Sequence, residues 1–351
     1  SIIGTYGFNL YCISLFSSPA IFFLRNDLKY IGFLVFFLFT GVFFYTYGLS
    51  YKQKFSQASE EYYDYKLRIL GSNISLERFY SNTDAILVIN DLIKISEPKK
   101  EEKMIFLWPE GILPEISQAQ LTEYDWVFNK KFSENHFFII GINSVKEEND
   151  KKDYYNSLSV YDHKLNLLDH YNKINLVPFG EFLPFANVSE KLGLNIITHN
   201  RQSFSKGKKR DIIEIKKQKF SLSFLPLICY EIIYSGKLFK DSNFDIIINI
   251  SEDGWFGESI GPKQHFAHSI FRAIESGKYI ARSSNNGIAA IINPMGVVEK
   301  KVNFGESGYV DLDKIKKIQP TIFSKQGNKI FGILILLYIF LIFSFNRIKN
   351  E

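Results

Sequence analysis

The sequence predicts an α/β domain carried between apolar helices, and three observations predict it. From about residue 67 to residue 318, strand-like runs rich in Ile, Val and Phe alternate with stretches of helical period. Long uncharged apolar runs lie on both sides of that region. Within it, three short segments, WPEGILPE (108–115), YNKINLVPFGEFLP (171–184) and LICYEI (227–232), each set a chemically capable side chain at the border of an apolar run.

The flanking elements come first in the chain. Residues 1–24 and 30–51 carry no charged side chain, and 330–346 form a third such run. At about 1.5 Å per residue, the second run makes roughly 33 Å of helix, enough for a hydrocarbon core of about 30 Å. The third is at the short end of the spanning range, with Lys329 and Arg347 placed to snorkel. Gly4, Gly7 and Pro19 interrupt the first run, and membrane helices tolerate such residues. The expected organisation is therefore two transmembrane helices in 1–52 with a short connector, a linker at 53–66, a catalytic domain at 67–318, and a C-terminal transmembrane helix at 329–347. Arg25 and Lys29 in the connector, with Arg347 and Lys349 in the tail, place both short segments in the cytoplasm and the large domain on the other face. The chain opens at Ser1 on apolar residues, and further spans are expected before it.

Within the domain, LRILGSNI, MIFLWPE, FFIIGINSV, NSLSVYD, FSLSFLPLICYE, FDIIINISED, YIARSSNNG and GIAAIINPMG read as strands, and NPMG (293–296) as a hairpin turn. Segments 76–95 and 261–278 have apolar residues at helical spacing. The basic run SKGKKR (205–210) reads as a solvated turn. An aromatic content of 16%, with 34 Phe crowded toward the two ends, fits lipid-facing segments. A net charge of +5 singles out no polyanion, and no nucleic-acid partner is expected. Cys12 lies in an apolar run, so Cys12 and Cys229 offer no disulfide framework.

Three residues carry the chemistry. A thiol attacks as thiolate and needs a base, which points to Cys229 with Glu110. A cation or donor must hold the oxyanion formed on an attacked carbonyl, and Lys173 can do so. Acyl transfer is the chemistry such a set supports. Tyr230, Trp255 and Phe256 read as pocket wall, and Asn285, Asn286 and Gly287 as a turn satisfying buried backbone. His265 and His268 stand three residues apart on one helix, a spacing that can hold a metal, but packing is the expectation.

The ordered Glu, Lys and Cys segments resemble the nitrilase, or carbon–nitrogen hydrolase, superfamily. Together with LRILGSNIS (67–75), the block SEDGWFG…RSSNNGIAAIINPMG (251–296) and the apolar flanks, the chain is similar to the membrane-bound branch that N-acylates lipoproteins. The resemblance implies a nitrilase-like α-β-β-α sandwich inserted between transmembrane helices. It aligns Glu110, rather than Glu115, with the general base, and KINLVPFGE with the lysine loop. It places Glu181 and Glu231 beside the site in support. It implies no cofactor or metal. The implied partners are a phospholipid acyl donor, a diacylated lipoprotein acceptor and the lipid bilayer. The implied location is the bacterial inner membrane, with the domain facing the periplasm. The apolar stretch 182–198 is expected to be a lid or a core segment. Two other functions remain open at this point: a membrane-tethered amidase or nitrilase, and a non-catalytic lipid- or lipoprotein-binding protein.

Overall fold

A computed structural model of the chain describes residues 1–25, 29–81, 83–148, 151–184, 203–236, 238 and 243–348. Two long helices open it, α1 (Gly4–Arg25) and α2 (Lys29–Gln57). The domain follows with β1 (Glu60–Ser72), α3 (Ala85–Ser96), β2 (Met104–Leu107), β3 (His136–Glu148), β4 (Lys151–Asp162) and β5 (Leu167–Asn172). Then come β6 (Ile213–Lys217), β7 (Phe220–Ile228), β8 (Ile246–Glu252), α4 (Gly261–Ser276), β9 (Tyr279–Asn285), β10 (Ala289–Ile292), β11 (Val298–Val302) and β12 (Gly308–Lys316). A last helix, α5 (Lys329–Ile348), leaves the domain.

The strands join in the order β5-β4-β3-β2-β1-β9-β8-β7-β6, with β12 on β1, β10 on β9 and β11 on β10. The centres of both halves are parallel: β1 with β2, β2 with β3, β7 with β8 and β8 with β9. Their seam is short, only Gly71 and Ser72 of β1 against Ser284 and Asn285 of β9. On either side of that seam the halves fold face to face. Leu67, Ile69, Ile105, Leu107 and Ile139 from one half share a buried cluster with Leu222, Phe224, Ile246, Ile248 and Ala281 from the other. The alternate residues point outward and are buried by helices. Met104, Phe106 and Phe138 pack with Ile89 and Leu92 of α3, and Leu225, Ile247 and Ile280 pack with Ala273 of α4. This is the α-β-β-α sandwich. Because both faces are covered, the strands read as unbroken apolar runs rather than alternating ones.

Two boundaries depart from the sequence reading. The stretch 53–66, expected as a linker, is the end of α2 through Gln57 and, after a two-residue break, the first half of β1 from Glu60. Glu60, Glu61 and Tyr62 are exposed yet pair with Lys316, Ile315 and Lys314, so backbone pairing makes a strand where the side chains signal none. Segment 76–95 is two elements, a 3₁₀ turn Leu76–Phe79 and then α3. Tyr80 caps the end of the first, and Asp84 starts the second by accepting from the Ile86 N–H at 2.9 Å.

The flanking helices pack on one another and on the domain. Tyr11 of α1 donates to the carbonyl of Phe37 in α2, and Ser14 meets Tyr338 of α5 at 2.6 Å. Glu275 of α4 accepts from both the N–H and the hydroxyl of Thr5 at 2.7 Å each. Outward, these helices expose large apolar side chains such as Phe16, Phe39 and Phe343. Among the described residues, Ile31–Gln57 is the one helix long and apolar enough to cross a membrane; Lys329–Ser344 is a shorter apolar helix.

Candidate active site

The candidate residues gather where the parallel strands end, as ligand sites in open α/β sheets do. Glu110 follows β2, Cys229 follows β7, and Lys173 follows β5. β3 approaches Glu110 so closely that a Cβ at Gly141 would lie 2.4 Å from the Glu110 Cα and from the Pro109 carbonyl. Only glycine allows this approach.

Glu110, Lys173 and Glu181 form one buried cluster. The Lys173 ammonium donates to Glu110 Oε1 at 3.2 Å and to Glu181 Oε1 at 2.9 Å, and the lysine is 1% exposed. Glu110 Oε2 accepts from the Glu252 N–H at 2.9 Å, and Glu181 Oε2 from the Val177 N–H at 2.8 Å. Burial opposes the lysine's charge, but Glu110 and Glu181, with Cys229 adding, outweigh it and hold the ammonium well above its ordinary value. Lys173 is therefore a fixed cation at neutral pH.

Cys229 sits in the left-handed region at φ 48°, an unusual conformation for a residue with a Cβ, at the turn between β7 and the 3₁₀ turn Cys229–Ile233. Burial pushes its thiol well above the ordinary value, and the negative charge of Glu110 adds to this, while Lys173 and the Ser251 hydroxyl oppose it. The thiol thus lies in the fields of both Glu110 and Lys173.

Glu231 is not a partner of Lys173 but a backbone clamp. Its Oε1 accepts from the Ile174 and Asn175 N–H groups at 3.0 Å, from Tyr171 at 2.7 Å and from Arg210 at 2.5 Å, and its Oε2 accepts from the Ile228 N–H at 3.0 Å. One carboxylate ties the lysine loop to the cysteine turn. Arg210 is thereby corrected: it ends the basic run 205–210, yet it is an ion-pair partner inside the site. Tyr230 is half-buried, edge-on to Tyr234. Trp255 is 51% exposed and packs on Phe79 at a centroid distance of 4.9 Å.

The partners of several further residues come into view only here. Asn156 of β4 donates to both Glu110 and Glu181. His265 lies behind the Cys229 turn, Nε2 donating to the Cys229 carbonyl at 3.1 Å and Nδ1 standing 2.8 Å from Asp253 Oδ1. Arg282 closes on Asp253 with contacts of 3.0 and 2.7 Å. Burial would raise the Asp253 carboxyl, but Arg282 and His265 hold it well below the usual carboxylate range. Asn285 and Asn286 donate to Glu252, which also pairs with Arg78. They also donate to the Ile74 carbonyl, as the expected backbone-satisfying turn requires. The expected lid, 182–198, falls from residue 185 onward outside the described residues; Phe182 and Leu183 are half-buried.

Residues 98–317 match the carbon-nitrogen hydrolase family. The apolipoprotein N-acyltransferase of Wigglesworthia glossinidia brevipalpis is 36% identical over 250 residues, covering 68% of this chain and 47% of that protein. The Rickettsia prowazekii protein of the same name is 37% identical over 242 residues, covering 67% and 47%. The chain thus spans about half the length of the curated relatives it matches. Among solved structures, a carbon–nitrogen hydrolase superfamily protein from Xanthomonas campestris aligns with a TM-score of 0.48 at 14% identity, covering 72% of this chain and 91% of that one.

Proposed function

Because the chain belongs to the carbon–nitrogen hydrolase family, we propose that it is an N-acyltransferase that moves an acyl chain from a phospholipid, through a thioester on Cys229, to the α-amine of a diacylglyceryl-modified cysteine at a lipoprotein N-terminus. The observation that carries the reading is the buried Glu110–Lys173–Glu181 cluster set against a cysteine in a strained turn. The relatives named apolipoprotein N-acyltransferase supply the acceptor class.

In the first half-reaction Glu110 takes the Cys229 proton as sulfur attacks the ester carbonyl. The C–S bond forms and the carbonyl electron pair moves onto oxygen, where Lys173 stabilises it. Collapse breaks the ester C–O bond. Glu110 returns the proton to the leaving oxygen, and a lysophospholipid departs. In the second half, the amine attacks the thioester, Glu110 takes a proton from the nitrogen, and the thiolate leaves and is reprotonated. Donor and acceptor use the same nucleophile, so the scheme is ping-pong. A raised thiol value suits this order: Cys229 stays protonated until Glu110 and an electrophile are both in place. Glu181 holds Lys173, and Glu231 holds the two loops that carry Lys173 and Cys229.

The flanking helices are proposed as spans of the bacterial inner membrane, α1 and α2 before the domain and α5 after it, with the domain on the periplasmic side. The exposed Phe16, Phe39 and Phe343 support lipid contact.

The test is the mass of the Cys229 peptide after the chain is incubated with phospholipid vesicles. An acyl adduct that a diacylated lipopeptide then removes is expected. A bare Cys229, or release of ammonia from small amides in place of acylation, sinks the reading.

A further inference from the structure

The two oxygens that Lys173 contacts, Glu110 Oε1 and Glu181 Oε1, each accept a second hydrogen bond from a single nitrogen, Asn156 Nδ2, at 2.7 Å in both cases. A primary amide nitrogen carries two N–H groups, and here both are spent on carboxylates of like charge. The Asn156 carbonyl in the main chain accepts from the Lys173 N–H at 2.9 Å, so the same residue also fixes the lysine's backbone. Asn156 is 6% exposed, and its Oδ1 has no partner among the described residues. Turning the amide over would aim that oxygen at two carboxylates, so the network itself sets the orientation. An unsatisfied buried carbonyl is unfavourable, and two charge-assisted bonds offset it.

We propose that Asn156 is a positioning residue that holds the Glu110 and Glu181 carboxylates together around Lys173, leaving Glu110 aimed as base toward Cys229. The proposal rests on the acyl-transfer reading only in requiring that Glu110 act on Cys229. Two carboxylates around one ammonium leave an excess negative charge in a site largely shielded from water. The two N–H dipoles offset that excess. Without them, the two carboxylates repel one another, Glu181 turns away and Glu110 loses its placement.

The experiment measures the rate at which iodoacetamide alkylates Cys229 in the full chain, read from the mass of its peptide and so separated from Cys12. N156D is nearly isosteric, removes both donors and puts three carboxylates around one lysine. It is expected to slow alkylation by about tenfold or more, within the range that a positioned base contributes. Adding E181Q supplies an amide in place of the one lost and restores the charge, and the double variant is expected to recover most of the rate. A packing role alone gives no such recovery. N156D at the parent rate, or a double variant no faster than N156D, overturns the proposal. If N156D does not fold, the double variant is compared with the parent directly: a similar rate supports the proposal and a tenfold deficit overturns it. A parent that alkylates with this Asn156 dependence but takes no acyl chain from phospholipid removes the substrate reading and leaves Asn156 in place. A parent inert to alkylation removes both.

Discussion

The His265 Nε2 lies 3.1 Å from the main-chain carbonyl of Cys229, so the residue in the strained turn is anchored through its backbone by a side chain of α4. The left-handed conformation of a non-glycine residue is unfavourable and persists only where its surroundings hold it. His265 is itself held, with Nδ1 on Asp253, which Arg282 grips.

His265→Ala should therefore lower both stability and reactivity. It strips the Cys229 carbonyl and Asp253 of a partner, a loss of about 1–3 kcal/mol for a buried group. Thermal unfolding and Cys229 alkylation should fall together. A variant with parent stability and parent alkylation would show that the turn holds without its anchor.

Lys173→Met keeps the bulk of the side chain and removes its charge. Loss of an oxyanion donor typically lowers the rate ~10²–10³-fold. It also leaves Glu110 and Glu181 buried without their cation. Thioester formation from phospholipid should drop by that order, and a normal rate of thioester accumulation would remove Lys173 from the chemistry.

Gly141→Ala should disable the site without changing any of its polar side chains. The added methyl meets the Glu110 Cα and the Pro109 carbonyl, which are backbone atoms and cannot rotate away. Overpacking of this kind costs about 1–3 kcal/mol. Turnover should fall more than melting temperature does. Parent turnover in a folded variant would mean that the Glu110 position is not critical.

The pH response of Cys229 follows from the direction of its shift. Burial first, then Glu110, raise the thiol value, so the thiolate fraction stays small through neutral pH and grows only at alkaline pH. Alkylation should keep climbing above the pH at which an ordinary cysteine levels off. A plateau near neutral pH, as for a thiolate stabilised by a cation, would contradict the arrangement.

The proposed topology rests on Arg25, Lys29, Arg347 and Lys349 in the short segments outside the apolar helices. An alkaline phosphatase fused after residue 310 should be active, and one fused after residue 351 inactive. The reverse pattern would put the domain in the cytoplasm and away from lipoprotein substrates.

Much of the fold was legible because its strands are buried on both faces. Ile-rich runs such as FDIIINISED need no partner to be recognised, and β8 occupies most of that run. The beginning of β1 was not legible: Glu60, Glu61, Tyr62 and Asp64 are exposed, and the segment becomes a strand because β12 lies alongside. Helix α3 was read too long because apolar spacing marks helical period but not the cap that interrupts it at Asp84.

The sequence by itself marked the groups on which the proposed chemistry rests. Glu110, Lys173 and Cys229 are recognisable because each stands in a short segment at the border of an apolar run, where chain context alone marks a turn. Glu181 and Glu231 were legible beside them through the resemblance. The tertiary structure alone decided how those groups are held. Asn156 sits mid-strand in β4, Arg210 in a lysine-rich run, and His265 on a helix with a second histidine nearby. Nothing local distinguishes them from a packed amide, a solvated cation or a core imidazole. Their partners lie on other elements of the chain: His265 reaches the Cys229 carbonyl 36 residues away, Asn156 reaches Glu110 46 residues away, and Arg210 reaches Glu231 21 residues away. Hydrogen bonds at such separations are set by which strands and helices come to lie together, and local sequence carries no signal for that.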